Sequence, residues 1–89
     1  MIALRIKVSG KVQGVFFRAS TKGRAEELGI CGWVKNESDG SVLIEAEGEE
    51  GSMNEFLNWC KAGPLMSKVE NVSTETIEAG NYTDFKIRY

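Results

Sequence analysis

Apolar and polar residues alternate at the start of the chain, which predicts a strand followed by a loop and a helix. Over residues 2–9, "IALRIKVS", every second residue is a branched aliphatic side chain, and a period of two is typical of a half-buried β-strand. The alternation stops between Gly10 and Gly14, where "GKVQG" predicts a loop. A helix is then expected from about Phe17 or Ala19 to Leu28, with its charged residues mostly facing outward.

Two further apolar runs predict a β-hairpin in the middle of the chain. Residues 31–36 and 41–47 each have the pattern of a strand, and the segment between them is "ESDG". Asp-Gly between two apolar runs is typical of a tight turn, because Gly40 can adopt the positive φ that such turns require. The two strands are therefore expected to be neighbours in one sheet.

The spacing of apolar residues after this hairpin predicts a second helix. Ser52 is the expected N-cap, because Glu55 three residues later completes the pattern of a capping box. The helix is expected to end near Ala62, because Gly63 and Pro64 follow and terminate helices. Its apolar face consists of residues at the spacing i, i+3, i+4 and i+7, namely Met53, Phe56, Leu57 and Cys60.

The last part of the chain predicts two strands, residues 69–77 and 82–88, around the turn "EAGN". The element order is therefore β-α-β-β-α-β with a short extra C-terminal strand. Because β-α-β crossovers are right-handed, both helices are expected on one face of an antiparallel sheet. The predicted fold class is α+β, a ferredoxin-like βαββαβ sandwich, in a single domain spanning residues 1–89. This fold hosts many functions, so it does not by itself predict an activity.

The charge of the chain argues against large anionic partners. Its 11 basic and 13 acidic residues give a net charge of −2, whereas nucleic acids and anionic membranes attract basic faces. No apolar run approaches the ~20 residues of a membrane span, and the charged N-terminal strand is not typical of a signal peptide. Cys31 and Cys60 do not make a disulfide framework. We therefore expect a cytoplasmic protein with reduced cysteines and no nucleic-acid or membrane partner.

The absence of histidine narrows the chemistry that the chain can support. The chain has no histidine, and its only aspartates are Asp39 and Asp84. Histidine-based general-base catalysis, Ser-His-Asp triads and most zinc sites are therefore excluded. No acidic cluster has the spacing of metal ligands, so a mechanism without a metal is the expectation.

The loop after the first strand has features of an anion-binding loop. A helix N-terminus presents unpaired N–H groups and a partial positive charge, and a glycine-containing loop before it lets several amides converge on one anion. Arg18 lies at the start of the predicted helix, where the dipole disfavours a cation unless an anion is bound nearby. Its planar guanidinium suits bidentate binding of phosphate or carboxylate. The residues alone leave an alternative open, an ordinary strand–loop–helix turn with a surface arginine.

Asn36 is a second candidate site residue. It ends the second predicted strand, directly before the Asp-Gly turn. Its amide offers a carbonyl acceptor and two N–H donors, which suits the orientation of a water molecule. A role as a turn former before the hairpin accounts for the same residue, so both interpretations remain open at this point.

Together these segments resemble the acylphosphatase family. "VSGKVQGVFFR", Val8 to Arg18, is similar to the phosphate-loop signature of that family, and "GWVKNESDGSVLIEAEG", Gly32 to Gly48, is similar to its second signature. "GPLMSKVENV", Gly63 to Val72, and the ending "FKIRY" are also typical of the family. The resemblance covers almost the whole chain in the right order, and two long signatures at the family spacing are more specific than either alone.

The resemblance implies hydrolysis of small-molecule acyl phosphates to a carboxylate and inorganic phosphate, without a metal or cofactor and with phosphate or sulfate as competitive ligands. Matched position by position, Arg18 would bind the phosphate and Asn36 would orient the attacking water. Phe16 stands where many family members have glycine. We expect a monomer. The backbone amides expected to complete the phosphate cradle are those of Gln13, Gly14, Val15, Phe16 and Phe17.

Two other functions are weighed against this one. Acylphosphatase-like domains also occur in larger carbamoyl-transfer maturation proteins, but the presence of both Arg18 and Asn36 in an 89-residue chain favours an independent enzyme. RNA binding on the sheet would need a basic face with stacked aromatic residues. In some relatives of this family the terminal carboxylate pairs with the active arginine, so the carboxylate of Tyr89 is either a partner of Arg18 or part of a frayed terminus.

Overall fold

A five-stranded sheet with two helices on one face forms the structure, a computed structural model that describes residues 1–89. The strands lie in the spatial order β4-β1-β3-β2-β5, so the predicted ferredoxin-like fold with an extra C-terminal strand is confirmed. In chain order the elements are β1 (Ile2–Lys11), α1 (Phe17–Glu27), β2 (Cys31–Asn36), β3 (Val42–Gly48), α2 (Glu50–Ala62), β4 (Lys68–Thr76) and β5 (Phe85–Arg88).

One pair of strands runs parallel, so the sheet is mixed rather than wholly antiparallel. β1 pairs antiparallel with β3 and β4, and β2 pairs antiparallel with β3, whereas β5 pairs parallel with β2. β4 and β5 lie at opposite edges of the sheet, and β4 runs opposite to β2. After β4 the chain crosses one end of the sheet and enters β5, which therefore runs in the same direction as β2.

The alternation in β1 buries Ile6 and Val8 under the helices and leaves Arg5 and Lys7 on the open face of the sheet. α2 contributes three fully buried side chains to the same core, at the helical spacing expected from the sequence, namely Met53, Phe56 and Cys60. Because both helices bury side chains in one cluster with the strands, the opposite face of the sheet stays uncovered by helices. Neither helix is long and apolar enough to cross a membrane.

β1 extends further toward the glycine loop than the sequence predicted. The strand continues to Lys11, and Gly10 lies within it at a register shift in the pairing with β4. Gly10 has a φ of 125°, and a Cβ at this position would collide with the carbonyl oxygen of Lys68. Glycine is therefore required by the close approach of two strands at a bulge, and the loop begins only at Val12.

The predicted capping box of the second helix is wrong. α2 begins at Glu50, and its N-cap is Glu49, without a side-chain capping hydrogen bond. The backbone N–H of Met53 donates to the carbonyl of Glu49, which places Ser52 inside the first turn. Glu50 in that first turn is favourable beside the positive end of the helix dipole.

β2 spans Cys31–Asn36 and α2 ends at Ala62, as predicted, whereas several other boundaries differ from the predictions by one to three residues. α1 begins at Phe17, the earlier of the two predicted starts, and ends at Glu27. The last strand begins at Phe85 rather than at residue 82, because the residues before it are held by side chains of β3 instead of by strand pairing.

Candidate active site

Three strands have their C-terminal ends at the same end of the sheet, and the predicted site residues lie at that end. β1, β2 and β5 run in the same direction, because β1 and β2 are both antiparallel to β3 while β5 is parallel to β2. Val8 in β1 and Asn36 in β2 both pair with Val42 in the intervening β3. Two strand spacings, about 10 Å, therefore separate Asn36 from the strand that leads into the loop before α1.

The β1–α1 loop (residues 12–16) leaves a run of backbone N–H groups without partners in the protein. None of the N–H groups from residue 13 to residue 16 donates a hydrogen bond to backbone or side chain, and the N–H of Phe17 does not bond the carbonyl of Gln13. The first N–H groups of α1 extend this run, as at any helix N-terminus. Converging free N–H groups at a helix N-terminus form a site that favours an anion.

The two consecutive phenylalanines of the signature point in opposite directions. Phe17 is 2% exposed, and its ring lies 5.6 Å from the ring of Trp59 in α2. Phe16 is 84% exposed and has a left-handed backbone, with φ 60° and ψ 26°. That conformation costs about 1–2 kcal/mol for a residue with a side chain, which gives a physical reason why glycine suits this position. Phe17 thus anchors the start of α1 while the loop before it remains strained and open.

Arg18 occupies the second position of α1 and is partly exposed. Its guanidinium carbon lies 4.7 Å from the centroid of the Tyr89 ring, within the range of a cation–π contact. Arg18 takes part in none of the ion pairs of the protein, so the terminal carboxylate of Tyr89 does not pair with it here. The aromatic ring of Tyr89, rather than its carboxylate, is the group in contact with Arg18.

Asn36 is the last residue of β2, on the same face of the sheet as Val34 and therefore on the helix side. Its Oδ1 is buried and has no hydrogen-bond partner. A buried acceptor left unpaired costs about 1–3 kcal/mol, which is unusual for a residue that merely shapes a turn. The Asp-Gly turn after it has the expected form, because Gly40 has a φ of 92°.

A cavity of about 320 Å³ brings most of the predicted site residues together. Arg18 and Asn36 both line it, as do Gly14, Phe16 and Phe17, and no aspartate or glutamate is among its lining residues. Gln13 and Val15, the two remaining residues of the predicted set, do not line it. The remaining lining residues are Val12, Ala19, Ile87 and Tyr89.

The side chain of Gln13 has contacts that the sequence did not predict. Its Nε2 donates to the carbonyl of Glu37 at 2.8 Å and to the carbonyl of Ser41 at 2.9 Å. The family resemblance predicted a role only for the backbone amide of Gln13, and no pattern in the sequence distinguishes a bridging glutamine from a solvated one. The only available signal was its position inside the first signature.

The same turn is fastened to β1 by a second set of hydrogen bonds. Asp39 accepts hydrogen bonds from the Lys7 ammonium at 2.7 Å and from the hydroxyl and backbone N–H of Ser41 at 2.6 and 3.0 Å. These bonds, the one from Lys7 foremost, hold the pKa of Asp39 below its ordinary value of 3.8. The carboxylate stays ionised and belongs to the turn, which leaves it unsuited to act as a base.

The structure contains no disulfide and no cluster of metal-ligating side chains. Both cysteines are free thiols, and burial raises the pKa of Cys60 to about 12, so this thiol is unreactive at neutral pH. No three histidine, cysteine, aspartate or glutamate side chains come together as the ligands of a metal ion would.

Comparison with known proteins identifies the relatives of this chain. Residues 4–87 match the acylphosphatase family. An acylphosphatase of Archaeoglobus fulgidus is 49% identical over 89 residues, which is the full length of both proteins. The crystal structure of acylphosphatase from Bacillus subtilis superposes with a TM-score of 0.97 at 39% identity, with complete coverage of both chains.

A larger protein contains a similar unit. The crystal structure of full-length HypF in the phosphate- and nucleotide-bound form superposes with a TM-score of 0.92 at 34% identity. The match covers 99% of the present chain and 12% of the HypF chain.

Proposed function

This chain belongs to the acylphosphatase family, and from that premise we propose that it hydrolyses the carboxyl–phosphate bond of acyl phosphates to a carboxylate and inorganic phosphate. One observation carries the proposal: a single cavity is lined by Arg18, by Asn36 and by the loop whose backbone N–H groups have no partners. These groups supply positive charge, free donors and an unpaired acceptor around one cavity.

In the proposed mechanism the phosphate binds at the N-terminus of α1. The amides of residues 13–17 donate to its oxygens, and the guanidinium of Arg18 binds two of them side by side. The contact with the Tyr89 ring holds the guanidinium without neutralising it, since no carboxylate competes for its N–H groups. Charge that spreads over the equatorial oxygens in the transition state is stabilised by donors that are already in place.

Asn36 holds the attacking water in this proposal. Its unpaired Oδ1 can accept a hydrogen bond from the water once the amide turns toward the cavity, a motion about a soft terminal torsion. Such a bond offsets the cost of leaving a buried acceptor unpaired. The amide does not remove the proton; it fixes the water in line with the bond that breaks.

The bond changes need no side chain that acts as a general acid or a general base. The water oxygen attacks phosphorus, the bond between phosphorus and the carboxyl oxygen breaks, and the electron pair leaves with the carboxylate. The water proton passes to a phosphate oxygen of the substrate, because no aspartate or glutamate lines the cavity and the chain has no histidine. A carboxylate is a weakly basic leaving group, so it departs without protonation, and no metal or cofactor takes part in the proposed mechanism.

The decisive experiment follows benzoyl phosphate hydrolysis in ¹⁸O-labelled water, with and without EDTA. We expect turnover that EDTA leaves unchanged, with the label in inorganic phosphate. Label in benzoate would show attack at the carbonyl carbon and overturn the mechanism. Absence of turnover with both benzoyl and acetyl phosphate would overturn the proposed function itself.

The match to HypF favours one alternative, a phosphate-binding unit that serves within a larger protein. Such a unit would bind inorganic phosphate in the same cavity without hydrolysing benzoyl phosphate, so the assay above separates the two. The structure gives no comparable support to RNA binding. Trp33, on the open face of the sheet, is 7% exposed and is covered by Lys35 and Arg88, so its ring offers no surface for a base to stack upon.

A further inference from the structure

The carboxamide of Gln13 bridges two parts of the candidate active site that are not adjacent in the sheet. Gln13 lies in the β1–α1 loop, and the carbonyl groups that it binds, those of Glu37 and Ser41, lie at the two ends of the β2–β3 turn (residues 37–41). The two partners are 24 and 28 residues away along the chain. Because β3 separates β1 from β2, no backbone pairing joins the loop directly to the end of β2.

The bridge uses both N–H groups of the amide. The Ser41 carbonyl also accepts the backbone N–H of Glu37 at 2.8 Å, so Gln13 binds the same pair of residues that closes the turn. Binding both carbonyls at once needs a side chain with two N–H donors, and the carboxamide of Gln13 offers both on one nitrogen. A methionine of similar length has no donor, and an asparagine is one methylene too short to span the same gap.

Glu37 directly follows Asn36, so the bridge acts one residue away from the side chain proposed to hold the water. The phosphate cradle is fixed separately, by the burial of Phe17 and by the continuation of β1 to Lys11. The sheet fixes Asn36 relative to β1 through Val42 in β3, so the position of Asn36 relative to the cradle depends further on a contact between the β1–α1 loop and the β2–β3 turn. Gln13 makes that contact.

We propose that Gln13 is a positioning residue that sets the distance between the water held by Asn36 and the phosphate held by the β1–α1 loop. This inference rests on the proposed function. In-line attack is sensitive to displacements of about 1 Å, which can cost about 100-fold in rate. Loss of the bridge is therefore expected to slow the chemical step while the loop continues to bind phosphate.

The test measures kcat and KM for benzoyl phosphate, and the inhibition constant of inorganic phosphate, in Gln13→Met and Gln13→Asn. We expect kcat to fall about 10- to 100-fold, while KM and the inhibition constant change less than about threefold, because the backbone donors are retained. The matched control is Ser41→Ala, which removes the hydroxyl bond to Asp39 from the same turn but keeps the carbonyl that Gln13 binds. This control is expected to lower stability and to leave kcat nearly unchanged.

A double-mutant cycle distinguishes positioning from general support of the fold. In an Asn36→Ala background, Gln13→Met should cause little further loss of kcat, because the side chain that it positions is gone. An equal loss of kcat in both backgrounds, or an unchanged kcat in both Gln13 variants, would overturn the inference. If Gln13→Met does not fold, Gln13→Asn, which keeps a polar amide in the loop, decides the matter by the same criteria.

The proposed function fails separately from this inference. A native chain that does not hydrolyse acyl phosphates would refute the enzyme assignment regardless of Gln13. A native chain that is active and needs Arg18 and Asn36, but not the Gln13 side chain, would refute only the positioning role.

Discussion

Two loops at opposite ends of the sheet treat their backbone N–H groups in opposite ways. In the β4–β5 connection (residues 77–84), the N–H groups of Gly80 and Tyr82 donate to the carboxylate of Glu47 at 2.8 and 2.6 Å. Glu47 is 4% exposed, so this loop is built around a buried anion that belongs to the protein. In the β1–α1 loop the N–H groups have no such partner.

The difference between the two loops indicates that the free N–H groups of the β1–α1 loop are suited to an anion from outside the protein. Each loop contains a residue in the left-handed region, Asn81 with φ 55° in one and Phe16 with φ 60° in the other. Asparagine adopts this conformation readily, whereas phenylalanine does so at a cost. The β4–β5 connection thus has an asparagine that tolerates the left-handed conformation and an anion supplied by the protein. The β1–α1 loop has a strained phenylalanine and a site for an anion from outside. The proposed substrate phosphate corresponds to the carboxylate of Glu47.

The largest effect is expected from removing Arg18, the cation beside the β1–α1 loop. Arg18→Ala should lower kcat/KM for benzoyl phosphate by about 10²–10⁴-fold, because phosphate affinity and charge stabilisation are both lost. Arg88→Ala is the matched control, since Arg88 also lies 4.7 Å from an aromatic ring, that of Trp33, but on the open face. Near-native turnover in Arg18→Ala would contradict the assigned site.

The next effect concerns Asn36, whose buried acceptor oxygen is unpaired and which lines the same cavity. Asn36→Ala should lower kcat by about 10²–10³-fold, the range seen when one preorganised polar group is removed from a transition state. Phosphate binding, measured by competitive inhibition or calorimetry, should stay nearly constant. Asn71→Ala, on the exposed part of β4, serves as the control. A parallel loss of binding and turnover would instead assign Asn36 a structural role.

Removing the internal anion should damage stability rather than activity. In Glu47→Gln the amide offers one acceptor oxygen to two N–H donors and turns an N–H₂ group toward one of them. We expect the free energy of unfolding in urea to fall by about 1–3 kcal/mol, with kcat per folded molecule within about twofold of the native value. Glu75→Gln, an exposed carboxylate on the same sheet face, should change stability little. A larger effect on kcat than on stability would show that the two loops are not independent.

Relieving the backbone strain at Phe16 in the β1–α1 loop should stabilise the protein slightly. Phe16→Gly removes the cost of a left-handed side-chain residue but adds chain entropy to the unfolded state, so the free energy of unfolding should rise by at most about 1 kcal/mol. Met66→Gly is the matched control, because Met66 is also exposed and has a φ of 76°. A loss of stability in Phe16→Gly alone would mean that the exposed ring makes stabilising contacts.

The smallest effect concerns the exposed ion pair beside the β2–β3 turn. The pKa of Asp39 is lowered in the folded protein, chiefly by the hydrogen bond from Lys7, so its contribution to stability is present above the unfolded value, 3.8, and is lost as the pH falls through the folded value. Asp39→Asn should therefore be slightly less stable than the native chain at neutral pH. Urea unfolding at successively lower pH should show the difference shrinking below pH 3.8. A difference independent of pH would point to the hydrogen bonds of Ser41 alone.

Much of the fold follows from local patterns in the chain. The alternation in β1, the helical spacing of Met53, Phe56 and Cys60, and the Asp-Gly turn each appear where they were predicted. The boundaries that failed are those decided by neighbours in space. β1 continues through Gly10 because β4 pairs with it there, and Tyr82 lies outside the last strand because its N–H donates to Glu47.

The candidate site shows the same division. The family resemblance singled out Arg18 and Asn36, and the structure places both at one cavity, although their chemical roles remain predictions. The bridge from Gln13 and the contact of the Tyr89 ring with Arg18 were not predicted. A glutamine in a loop and an aromatic residue after a strand carry no pattern that names their partners.

By itself, the amino-acid sequence determined the order and type of the elements and, through two signatures, the family of the chain. Hydrophobic period and turn residues act over a few neighbouring positions, so they can be read without knowing the fold. Only the tertiary structure decided that β1, β2 and β5 end at the same end of the sheet. It also decided that Phe16 faces solvent while Phe17 faces the core, and that Gln13 reaches a turn 24 residues away. These outcomes depend on strand order and on which backbone groups remain unpaired after folding, and both are properties of the whole chain.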